Sequence, residues 1–149
     1  MFEITNFTDK VNEFMLLHNY TPEALSANAG ISLSTVYNLL KGRYKQPDTK
    51  VFFRIIELFN CSADYMLGLV EFPLDGVIYH SPLLIYGDKL RSLLKKKGET
   101  QKAFIENMKI SSNLAYKWLS NISLPTIEYL IRLAEYFEIS VDTLIERVK

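Results

Sequence analysis

Residues 21–42 read TPEALSANAGISLSTVYNLLKG, and residues 100–121 read TQKAFIENMKISSNLAYKWLSN. In the first stretch Thr21 is suited to cap a short helix, with Pro22 at its first position, where a missing N–H costs nothing. Gly30 tolerates the positive φ that ends such a helix, Ser32 caps the next one and Gly42 stops it. Thr100 and Ser111 take the same places in the second stretch. Each is therefore a pair of short helices separated by about three residues.

The likeness extends outward on both sides. Residues 7–69 and 86–149 align at an offset of 79, falling to 78 after one residue is lost near Ile122–Ser123. Phe7 pairs with Tyr86, Val11 with Leu90, Leu25 with Phe104, Tyr37 with Tyr116, Pro47 with Pro125 and Asp64 with Asp142. A period of this length marks two copies of one unit. Strand periodicity is absent, so the expected fold is all-α. In the first copy helices are expected over about 9–18, with Thr8 as cap and Val11, Phe14, Met15 and Leu17 inward, then 22–29 and 33–41. Two more follow at 49–60, capped by Asp48, and from Ser62 to about Leu69. The second copy repeats them near 86–97, 101–108, 112–120, 127–138 and 141–147, with Thr126 and Ser140 as further caps. Domains are set at 1–69 and 86–149. Residues 70–85, with Pro73, Asp75–Gly76 and Pro82 among apolar residues, form a linker with a short extended piece at Val77–Tyr79, expected to pack instead of floating.

The two runs, with the tails FNCSADYML (59–67) and FEISVDTLI (137–145), resemble the Cro/C1-type, or XRE, helix-turn-helix family of phage repressors. The resemblance covers about 125 of the 149 residues. It implies two tandem five-helix lambda-repressor-like domains and a double-stranded DNA-binding transcription regulator, a repressor by family habit. Two domains in one chain would read two half-sites. Transferred by position, Leu33, Ser34, Thr35 and Asn38 of the first copy and Ser112, Asn113 and Lys117 of the second would face bases. Asn suits adenine and Lys the guanine acceptors. Lys41, Arg43, Tyr44, Lys45 and Gln101 would hold phosphates.

Three departures qualify that picture. Pro22 stands where the family often has glutamine, Lys109 where it usually has the turn glycine, and Asn121 where glycine follows the reading helix. The second copy also lacks the Arg43–Lys45 cluster, and neither reading helix carries an arginine. With a net charge of zero, these features keep open a protein-interaction module that binds a partner or forms a homodimer. The charge is uneven, however. Residues 7–69 hold 6 Lys/Arg and 6 Asp/Glu, and residues 86–149 hold 11 and 8, so the second copy is the more anion-facing.

Other functions find little support in the sequence. There is no phosphate loop, no Cys/His cluster and no nucleophile–base pair, so neither an enzyme, a cofactor nor a metal is expected. His18 and His80 are read as packing or surface residues. Cys61, the one cysteine, is read as a small buried hydrophobe and Trp118 as core. No apolar run is long enough to span a membrane and no basic-then-apolar leader is present, which makes a reducing cytoplasm the expected home.

Overall fold

The computed structural model describes residues 2–74 and 76–148, and all regular elements among them are helices. The first five are α1 (Ile4–His18), α2 (Pro22–Ala29), α3 (Leu33–Leu40), α4 (Thr49–Phe59) and α5 (Ala63–Met66). The second five are α6 (Gly87–Lys97), α7 (Gln101–Met108), α8 (Ser112–Leu119), α9 (Ile127–Tyr136) and α10 (Val141–Leu144). The chain divides into two compact units, one running to Ser81 and one from Pro82 to Arg147.

Local chemistry sets most boundaries. Thr21, Ser32, Asp48 and Ser62 each accept a backbone N–H two or three residues on, and so do Thr100, Ser111, Thr126 and Ser140. Each such cap satisfies a donor the helix start would leave bare, worth about 1 kcal/mol. The later helices end before the expected residues because the chain turns left-handed there. Gly68 and Glu146 hold matching positive φ values of 76° and 59° after the fifth helix of each unit.

Two expectations for α1 fail. Thr8 does not cap it: the helix starts at Ile4, behind Glu3, which makes no side-chain cap bond. Phe2 and Phe7 are both buried, and Phe7 packs its ring 5.7 Å from that of Phe52. Burying each aromatic contributes about 1.5–3 kcal/mol, enough to draw the leader into helix. Leu17 does not face inward; it is 70% exposed. It lies about 120° around the helix from Val11 at 100° per residue, off the stripe that Val11 and Met15 share.

In the first unit the core gathers Phe7, Val11, Leu25, Val36, Leu39, Phe52 and Ile56. In the second it gathers Tyr86, Leu90, Phe104, Trp118, Leu130 and Leu144. Trp118 is 1% exposed and Cys61 is buried, as expected. His18 packs among the rings of Phe14, Tyr20 and Phe59. Of the residues between the helical sets, Val77 and Tyr79 are tied to the first unit through Asn60. Its amide donates to the Val77 carbonyl (2.9 Å) and accepts from the Tyr79 N–H (3.0 Å). Leu83 instead donates to the Ile145 carbonyl of the second unit. The piece at Val77–Tyr79 is not a strand. Asp75 of the linker lies outside the described residues.

Candidate nucleic-acid interface

In the first unit Thr21 Oγ1 accepts from the Ala24 N–H and starts α2; Gly30, at φ 70°, ends it. Ser32 Oγ accepts from the Thr35 N–H (3.1 Å) and donates to Thr35 Oγ1 (2.7 Å). Arg54 on α4 donates to the Gly30 carbonyl and so fastens the turn from behind. The second unit repeats the device with Arg132 on α9 and the Met108 carbonyl. The repeat register pairs Arg54 with Arg132, a signal from which this clamp could have been read in the sequence.

Lys109 takes the glycine position of the turn with φ 55°, so a long side chain occupies the left-handed region. Asn121, at φ 61°, does the same after α8. Its side chain has a second use: Oδ1 accepts from the Gly87 N–H at 2.8 Å and satisfies the start of α6. Arg91 donates to the Leu119 carbonyl beside it (3.0 Å). At the matching junction of the first unit Thr8 Oγ1 donates to the Leu39 carbonyl (3.1 Å).

The reading faces differ most. Along α8, Ser112, Asn113 and Lys117 are all exposed. Gln101 and Lys102, also exposed, stand at the first two positions of α7. The positive end of that helix and a lysine thus lie side by side, an arrangement suited to a phosphate.

In the first unit Leu33 and Ser34 are exposed and Thr35 is half-buried in its bond with Ser32. Asn38 is engaged on both sides of its amide. Oδ1 accepts from Arg43 (3.0 Å) and Nδ2 donates to Tyr44 Oη (3.4 Å). Arg43, itself exposed, and the half-buried Tyr44 are thereby tied to α3, and Lys41 and Lys45 are exposed without such a tie to Asn38. Lys41 Nζ stands 6.0 Å from the Tyr37 ring.

At the start of α2, Pro22 offers no N–H and Glu23 brings a carboxylate. Tyr37 Oη donates to Glu23 Oε1 at 2.9 Å. The bond from its own backbone N–H, then that from Tyr37, hold the Glu23 carboxyl below its ordinary pKa, and the Glu23 bond raises that of Tyr37. The corresponding pair in the second unit is Lys102 and Tyr116, the latter 59% exposed against 39% for Tyr37. The sequence carried this contrast as a change of charge between registered positions 23 and 102.

Lys97, at the end of α6, lies with Nζ 4.8 Å from the Tyr136 ring. Tyr136 also bonds Glu99, and Asn107 donates to both (3.3 Å each). Among the described residues no group of three or more His, Cys, Asp or Glu could hold a metal, and no helix is long and apolar enough to cross a membrane.

A family model described as helix-turn-helix matches the chain twice, over residues 11–66 and 90–144. No curated protein and no solved structure matches it. With the two matches spanning most of its length, the chain belongs to the Cro/C1-type (XRE) helix-turn-helix family of DNA-binding transcription regulators, as two tandem copies.

Proposed function

We propose that this chain is a sequence-specific double-stranded DNA-binding repressor in which the second copy is the principal reader. The observation that carries this reading is the contrast between the two faces. Ser112, Asn113 and Lys117 stand exposed on α8 beside Gln101 and Lys102, whereas Asn38 is tied to Arg43 and Tyr44. Asn113 pairs with adenine and Lys117 with guanine; Gln101 positions the backbone. In the first copy Leu33, Ser34 and Thr35 make the lesser base contacts, and Lys41, Lys45 and the Arg43–Tyr44 pair hold phosphates once Asn38 releases them. The family is regulatory and not enzymatic, and in this proposal the chain acts in the cytoplasm.

Fluorescence anisotropy with duplex fragments from around its own gene tests the proposal. One fragment is expected to bind more tightly than random DNA by a factor of about a thousand or more. Lys117→Ala should weaken that fragment by roughly 10- to 100-fold and relax its sequence preference. Binding no tighter than to random DNA at low salt sinks the reading.

One observation favours a second role for the first copy. Glu23 and Pro22 make its α2 start a poor phosphate seat, and the Glu23–Tyr37 bond covers it. That surface suits a protein, either a partner regulator or a second copy of this chain. Light scattering at high protein concentration separates these: a strict monomer removes the homodimer, and a stable pull-down partner supports the other.

A further inference from the structure

A cavity of about 300 Å³ opens in the first copy beside its reading helix, lined by Thr35, Leu39, Tyr44, Pro47, Asp48 and Val51. The second copy provides an internal comparison. Leu39 registers with Trp118, and Val51 with Tyr129. There the Trp118 and Tyr129 rings meet edge to face at 5.2 Å, and Trp118 is buried. Two large aromatic side chains thus stand in one copy at the positions held in the other by the smaller Leu39, which is buried, and Val51, which is half-buried. The cavity is open to solvent, so a ligand seated in it displaces water from apolar walls.

We propose that this cavity is a binding site for a small aromatic amine, one or two rings bearing a protonated nitrogen. The volume is at the lower end of small-molecule sites, which are apolar with a few placed polar groups. Leu39, Pro47, Val51 and the Tyr44 ring supply the apolar walls. The Asp48 carboxylate, which also accepts from the Lys50 N–H (3.1 Å), is the one charged group in the lining, so the ligand is a cation and not a phosphate. Tyr44 links the cavity to the DNA face, because its hydroxyl accepts from Asn38, which in turn holds Arg43. Ligand seated against Tyr44 therefore sets whether Arg43 is folded back or free. That coupling rests on the DNA-binding reading proposed above; occupancy of the cavity does not.

Titration of the full chain with tryptamine, followed by amide chemical shifts and without DNA, tests occupancy separately. Saturable shifts are expected at residues 35, 39, 44, 48 and 51, with Kd on the order of 1 mM for a ligand of this size. The registered residues 114, 118, 126 and 129 should not move. Asp48→Asn should weaken tryptamine by about threefold and leave neutral indole unchanged. Val51→Tyr, which places the second copy's residue in the first, should abolish binding. Absence of saturation by about 10 mM, or equal shifts in both copies, overturns the proposal, and because wild type carries that readout, a poorly folded variant does not rescue it. If tryptamine binds but anisotropy with DNA is unchanged by it, the site stands and the coupling falls.

Discussion

Glu23 and Lys102 occupy one registered position and do opposite things to a phosphate. Replacing Glu23 with Lys should make the first copy's α2 start resemble the second's. Affinity for random duplex DNA is expected to rise several-fold and the slope of log K against log salt to steepen by about 1; an unchanged slope means that this helix end does not approach DNA. Tyr37→Phe removes the hydroxyl that donates to the Glu23 carboxylate. Since that bond helps to hold the Glu23 pKa down, the group should titrate at higher pH in the variant, read from its side-chain carbon shift. The sign follows for stability as well. A depressed carboxyl pKa favours the folded state above the unfolded pKa, and this contribution disappears as the pH falls through the folded value. None of this was visible in the local pattern, because Glu23 and Tyr37 lie 14 residues apart. The change of charge between positions 23 and 102 was legible, and only the partner was not.

Helix ends were the most legible elements. A Ser, Thr or Asp before an apolar run caps a helix by its own side chain, so the eight caps required no knowledge of the rest of the fold. The exception, α1, began early because distant aromatic burial outweighed local capping at Thr8. Where one helix meets another, sequence distance hides the chemistry: Asn121 serves Gly87 from 34 residues away. A Cβ on Gly87 would stand 2.5 Å from the Leu119 carbonyl oxygen. Gly87→Ala is therefore expected to destabilise the second copy by about 2 kcal/mol, or roughly 10 °C in Tm, and a neutral result in thermal denaturation would mean that α6 shifts freely. At the turn, Lys109→Gly should do the reverse. It relieves a left-handed residue that carries a Cβ, and a gain of about 1 kcal/mol is expected in the same assay.

At the scale of the molecule, the compact unit that begins at Pro82 has its own buried set around Tyr86, Phe104 and Trp118. A polypeptide of residues 82–149 is expected to fold alone and melt cooperatively by circular dichroism, though with the small margin of a domain near this size. A broad, non-cooperative melt would show that it depends on the first copy. The division at Ser81–Pro82 was harder to read than the repeat itself, because the residues that anchor the intervening segment, Asn60 and Ile145, belong to the tails of the two copies. Tandem copies on one chain also carry a hazard of misassembly, since a helix can dock in the wrong copy while the chain folds. The unlike junctions oppose that exchange. If α6 took the place of α1, the Gly87 N–H would meet position 42, a glycine with no side-chain carbonyl to accept it. If α1 took the place of α6, the Thr8 side chain would enter the space where the Leu119 carbonyl leaves no room for a Cβ. Divergence at a single helix contact thus lets each copy recognise its own first helix.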